Sequence, residues 1–204
     1  MEAKSKTERI VASARELFLL NGFEKTTMEE IAKAVPMSKA TLYAEFPNKE
    51  EILLAICERH CEKLQNMMLA ISAATTFDYL GGLRKMLMQF VCSVYTESSS
   101  VRTPETMIYI NGRVKNRFHH RFAEIKEVIQ SILDKAIEAG ELTGVADSAA
   151  LCEVVISMLT SYLPPYERNL RAPPVERPDK ETFYAEVEIL LNLLLLGLKE
   201  YGKT

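Results

Sequence analysis

The chain has 204 residues, 48% hydrophobic and 26% charged, with a formal net charge of -3. A chain of this size buries a sizeable core, and the composition excludes an intrinsically disordered protein. It also excludes a generally basic nucleic-acid coat, since residues 1–50 hold eight Lys/Arg against eight Asp/Glu, so any contact with DNA must come from a local patch.

Apolar residues recur at i, i+3, i+4 and i+7 almost throughout, without period-2 alternation, which predicts an all-α protein of about nine helices. Ser5 with Glu8 forms a capping box ahead of Ile10, Ala14, Leu17 and Phe18, and Asn21-Gly22 supplies a left-handed stop. Thr27 with Glu30 repeats the box before Met28, Ile31, Ala32 and Val35; Pro36 then ends this second helix. Ser38 caps a third short helix with Leu42 and Phe46 inward, and Pro47 stops it. Asn48 with Glu51 opens a long fourth helix through Ile71. Further helices are predicted over 77–97, from Thr103-Pro104, over 117–139, from Asp147 to Tyr162 and over 181–201. The stretch 163–180 holds five of the eight prolines and is predicted to be a long surface connection.

Two short helices, Thr27–Val35 and Ser38–Phe46, joined by a few residues, have the size of a helix-turn-helix, whose second helix enters the major groove while the first braces it. With Leu42 and Phe46 inward, Lys39, Ala40, Thr41, Tyr43 and Glu45 are left on the outer faces. Lys39 can reach guanine O6/N7 or a phosphate, and Thr41 a phosphate or a thymine methyl. Thr27 and Lys49 begin helices, where free amides and the positive dipole end suit phosphate. Tyr43 stands between two roles, a DNA contact and a packing residue braced against helix one.

The stretch TERIVASARELFLLNGFEKTTMEEIAKAVPMSKATLYAEFPNKEEILLAI closely resembles the DNA-binding head of the TetR (tetracycline repressor) family. The matching features are A-x-x-L-F-x-x-x-G-F-x-x-T-T, the I-A of helix two and S-K-x-T-L-Y-x-x-F-x-N-K-E-E. The rest of the chain is similar to the family in length and helical layout. The resemblance implies phosphate contacts from Thr27, Ser38, Tyr43 and Lys49, and groove contacts from Lys39, Ala40 and Thr41. Pro36 stands where the family usually has a turn glycine, and Ala44-Glu45 replaces a commonly aromatic or histidine pair; Glu45 is not counted as a contact because it would repel phosphate. Domains are accordingly expected at 1–50 (helix-turn-helix head) and 51–204 (helical effector-binding and dimerisation body).

The last helix is apolar almost all round, which a surface element of a monomer cannot be. Val154, Val155, Met158 and Leu159 with Leu190, Leu191, Leu194 and Leu198 are therefore expected to build a two-fold dimer interface, as the resemblance also implies; full burial within one subunit is the alternative. Met67, Met86, Phe90, Val94, Met107 and Phe122 are candidates for an apolar effector pocket, and suit an ordinary core equally.

Cys57, His60 and Cys61 share a helix face, but no second ligand cluster exists, so no metal is expected and small buried thiols are favoured. The basic cluster Arg113–Arg121 is expected to be a solvated turn rather than an anion site. No glycine-rich phosphate loop, metal set or nucleophile with a histidine partner is found, so neither enzyme activity nor a cofactor is expected. Without an apolar leader or a bilayer-length run, the protein is expected in the cytoplasm. The function expected is a homodimeric, ligand-responsive transcriptional regulator that binds double-stranded DNA, by resemblance a repressor released by a small effector. The alternatives are a constitutive DNA-binding protein without effector and a helical-bundle enzyme or carrier.

Overall fold

The computed structural model describes residues 5–160, 162–164 and 178–201. Among these residues are eight helices and no strand: α1 (Lys6–Asn21), α2 (Met28–Ala34), α3 (Lys39–Glu45), α4 (Lys49–Ala74), α5 (Tyr79–Ser98), α6 (Pro104–Glu138), α7 (Ser148–Thr160) and α8 (Lys180–Tyr201). The proline-rich connection expected over 163–180 lies mostly outside the described residues.

The capping residues read from the sequence set the helix starts. Ser5 Oγ accepts from the Glu8 amide at 3.1 Å while Glu8 Oε2 accepts from the Ser5 amide at 2.7 Å. Thr27 and Glu30 make the same reciprocal pair at 3.2 and 2.7 Å. Ser38 Oγ takes the Thr41 amide at 3.1 Å, Asn48 Oδ1 the Glu51 amide at 2.9 Å, and Asp147 Oδ1 the amides of Ala149 and Ala150 at 2.9 and 3.1 Å. Each bond satisfies an amide that the helix itself leaves orphaned. At Gly22, which ends α1, φ is +87° and ψ 147°, a conformation open almost only to glycine, and an added Cβ would meet the Arg102 side chain at 3.0 Å.

By packing, the chain divides into two compact units. The first holds residues to Cys61 together with Glu97–Phe118, and the second Glu62–Thr96 and His119 onward. This differs from a single cut after residue 50, because the start of α4 and the N-terminal half of α6 pack with the head. In the first unit Ile10, Ala14 and Phe18 of α1, Ile31 of α2, Leu42 of α3 and Ile52 of α4 are fully buried. In the second, Met68, Leu83, Met86, Leu87, Ile132, Leu133, Val155, Phe183, Val187 and Leu191 form the core, with Tyr95 stacked on Phe183 at 4.2 Å between ring centroids.

One expectation is corrected. The break predicted near residue 117 is a kink inside α6, where Phe118 has φ -116° and ψ 22°; no proline or glycine interrupts the chain there, so the two predicted helices run on as one. Met107 is buried and falls in the first unit, and Met67, Met86, Phe90, Val94 and Phe122 fall in the second. The predicted dimer face is divided: Val155, Leu159, Leu191, Leu194 and Leu198 are buried within this subunit, Met158 and Leu190 are half-buried, and Val154 is exposed. An apolar helix still has to give one side to its own core, and these residues are that side. The outward apolar side chains are Val154 (54% exposed) on α7 and Ile189, Leu193 and Leu196 (59, 63 and 62%) on α8.

Candidate nucleic-acid interface

The interior of the head fixes which way α3 faces. Leu42 is fully buried and Phe46 is 8% exposed, so the intervening residues turn outward. Lys39, Ala40 and Tyr43 are exposed, as are the two caps Thr27 and Ser38, while Thr41 is half-buried. Tyr43 keeps 51% of its surface, which fits an outward contact better than packing against α1. Thr27, Lys39, Tyr43 and Lys49 share the wall of one open depression of about 560 Å³, which Glu24, Glu29 and Glu50 also line.

The polar side chains there have partners. Lys39 Nζ lies 2.9 Å from Glu29 Oε2, and Ser38 Oγ lies 2.8 Å from Thr41 Oγ1. Hydrogen bonding and the charge of Lys39, with Lys33 beyond it, hold the Glu29 carboxyl below its ordinary range. The Lys49 ammonium is committed inward: it donates to the carbonyls of Phe23, Glu24 and Thr26 at 2.8, 3.0 and 3.0 Å and lies 4.6 Å from the Phe23 ring centroid. All three of its protons are thereby used, so the side chain is a brace for the α1–α2 connection rather than a hand held out to phosphate.

Glu45 turns away from the outer face. Its carboxylate accepts from Lys6 Nζ at 2.7 Å and from Thr7 Oγ1 at 3.2 Å, and the hydrogen bond and charge of Lys6 lower its pKa. The turn around Pro36 contains no left-handed residue; among the described residues positive φ occurs at Gly22, Asp78, Gly140 and Gly144. Val35 closes on the Ile31 carbonyl at 3.1 Å and Met37 on that of Ala32 at 3.4 Å. Pro36 therefore sits in a turn that does not require the glycine usual in the family.

Several supporting residues carry no signal in the sequence. Thr26 is buried and its hydroxyl donates to the Gly22 carbonyl at 2.8 Å. Glu24 Oε1 accepts from the amides of Arg102 and Thr103, both at 3.1 Å, at the start of α6. Burial works against its charge, but hydrogen bonds from its own amide and from Thr103 and Arg102 outweigh it and lower its pKa. The basic cluster is a set of ion pairs rather than a solvated turn: Arg113 binds Glu50 and Glu51 at 2.7 Å each, Arg117 binds Glu51 at 2.6 Å, and Arg121 binds Glu62 at 3.0 Å. Burial pushes the Cys57 thiol up to about 12, which suits the inert packing role. Among the described residues, no three His, Cys, Asp or Glu side chains are grouped so as to hold a metal ion.

The family model of bacterial regulatory proteins of the tetR family matches residues 10–56, which take in most of α1, all of α2 and α3 and the first turns of α4. An HTH-type transcriptional regulator of Mycobacterium tuberculosis H37Rv is 26% identical over 158 residues, covering 77% of this chain and 73% of the relative. A TetR/AcrR-family transcriptional regulator from Thermobifida fusca has the same fold, with a TM-score of 0.72 over 95% of this chain and 98% of the other at 20% identity. Over its head, the chain is similar to the TetR family. The fold is shared beyond the head: a transcriptional regulator of Cytophaga hutchinsonii superposes with a TM-score of 0.81 over 96% of this chain and all of the other, at 20% identity. The protein is a transcriptional regulator and not an enzyme. No helix among its described residues is long and apolar enough to cross a membrane.

Proposed function

We propose that this regulator acts in the cytoplasm as a homodimer that grips a near-palindromic operator with two copies of α3 and is released by a small, largely apolar effector. The observation that carries the reading is the outward row Lys39, Ala40 and Tyr43 on a short helix whose Leu42 is fully buried. Small side chains at the start of α3 admit the helix to the major groove. There Lys39, Ala40 and Thr41 meet base edges while Thr27, Ser38 and Tyr43 bind phosphates. Lys49 contributes its main-chain amide at the start of α4, because its ammonium is occupied. The outward apolar faces of α7 and α8 join the two copies. The effector lies in the second unit, near Met67, Met86, Phe90, Val94 and Phe122, and shifts the protein only by its differential affinity for the two arrangements of the heads.

Selection of bound duplexes from random DNA tests the reading. Two half-sites about 34–36 Å apart, or a multiple of that, are expected. Replacing Lys39 and Thr41 together by alanine should weaken binding to the recovered duplex by about tenfold to a hundredfold and relax its sequence preference. Unchanged affinity and preference would refute the placement of the reading surface. A thermal-shift screen of apolar compounds separates a sensor, which gains stability with its ligand, from a constitutive DNA-binding protein, which does not.

A further inference from the structure

The depression on the outer face of the head is lined by three carboxylates, Glu24, Glu29 and Glu50, an unfavourable set for a surface that meets phosphate. Two of them are occupied with the frame of the head. Glu24 caps the start of α6 through Arg102 and Thr103, and Glu50 accepts from Arg113 at 2.7 Å and from Tyr109 Oη at 3.1 Å. Glu29 is different, because its partner at 2.9 Å is the ammonium of Lys39, on the helix proposed to enter the groove. It also lies 3.5 Å from Lys33, one turn along α2. The pair bridges α2 to α3 at a spot where both side chains remain largely exposed, 60% for Lys39 and 50% for Glu29.

From this juxtaposition we propose that Glu29 is an intramolecular stand-in for the acceptor atoms of DNA: it holds Lys39 in the free protein and must be displaced before Lys39 can engage any duplex. The inference rests on the assignment of Lys39 to the DNA surface made above. A carboxylate offers the Lys39 ammonium acceptor oxygens as guanine O6 and N7 offer acceptor atoms in the groove, so the exchange trades one charge-assisted hydrogen bond for another at the same lysine. Exposed pairs of this kind are weak and screened by salt, so the latch imposes a toll on binding rather than a block. Each encounter carries the same toll, whatever the base sequence, and the weakest, non-operator complexes are the ones it pushes below occupancy in the cell. Lys33 gives Glu29 a second partner and keeps the carboxylate charged and in place when Lys39 departs.

The test is a double-mutant cycle with the full chain: wild type, E29Q, K39A and E29Q/K39A. Binding is measured at low and moderate salt to a labelled mixed-sequence duplex and to the duplex recovered by selection. Retained helicity and thermal midpoint show that each variant is folded. The latch predicts that E29Q tightens binding to both duplexes by a similar factor, about twofold to fivefold at low salt and less at high salt. It also predicts that the gain is clearly smaller when Lys39 is already alanine. Gains of equal size with and without Lys39 would mean that Glu29 merely repels DNA, and would overturn the latch. Weaker binding by E29Q would overturn it too, by making Glu29 a buttress that aims Lys39. If K39A binds both duplexes as wild type does, it is the assignment of Lys39 to the DNA surface that fails.

Discussion

Lys49 and Glu45 show how far a single side chain's role depends on partners distant in the sequence. Lys49 stands where the motif places a DNA contact and Glu45 on the outer side of α3, and both point elsewhere: Lys49 to three carbonyls across residues 23–26, Glu45 to Lys6 and Thr7 at the start of α1. Replacing Lys49 by methionine keeps the stem that lies on Phe23 and removes the three charge-assisted bonds, each of which leaves a carbonyl short of a donor. Because Lys49 is half-buried, water replaces part of what is lost, and the variant should unfold about 1–2 kcal/mol more easily in urea. DNA binding at a temperature where the head remains folded should fall by no more than about threefold, less than the loss of a direct phosphate contact would cause at low salt. A large loss of affinity with no change in stability would restore Lys49 to the DNA surface. The exposed residues of α3 were legible from the sequence because the spacing of Leu42 and Phe46 alone decides them; the direction of Lys49 and Glu45 was not, since it depends on contacts 23 to 39 positions away in sequence.

Helix boundaries are the part of the fold that the sequence carries most fully, and the reason is local chemistry. A cap needs only a side-chain oxygen three residues from an orphan amide, so Ser5, Thr27, Ser38, Asn48 and Asp147 each mark a start with no knowledge of the tertiary fold. The junction near residue 117 is not legible in the sequence, for the complementary reason. A kink at Phe118 without proline or glycine has no local signature, and the basic residues that suggested a solvated turn are paired with glutamates of α4. Two turn positions provide a paired test at this scale. Gly22 holds φ +87° with the Arg102 side chain 3.0 Å from where a Cβ would stand, so Gly22→Ala should cost about 1–3 kcal/mol in strain. Pro36 lies in a turn without positive φ, so Pro36→Gly, which restores the residue usual in the family, should lower stability by only about 0.4–1 kcal/mol, chiefly by loosening the unfolded chain, and should leave DNA binding intact. Urea unfolding of both variants decides: a stabilising Pro36→Gly would show that proline strains the turn.

For the molecule as a whole, the ambiguity lay in a helix with leucines on every side. Periodicity reports how much of a helix is apolar and not which side belongs to its own core; α8 resolves this by burying Leu191, Leu194 and Leu198 while leaving Ile189, Leu193 and Leu196 outside, spaced four and three residues apart on one stripe. The two sides should respond oppositely to mutation. Leu191→Ala removes a fully buried side chain and should cost about 2–5 kcal/mol of stability, whatever the state of association. Leu193→Asp on the outer stripe should change the stability of the single subunit by about 0.5 kcal/mol or less. It should nevertheless convert the proposed dimer to monomer in sedimentation, because a carboxylate buried in a two-fold apolar interface has neither water nor a counter-charge. Operator affinity should fall with it, since a single head loses the second half-site and binding then rises steeply with protein concentration. The pair of variants separates an interface from a core: a Leu193→Asp protein that still sediments as a dimer and holds the operator would place the association surface away from the outer stripe of α8.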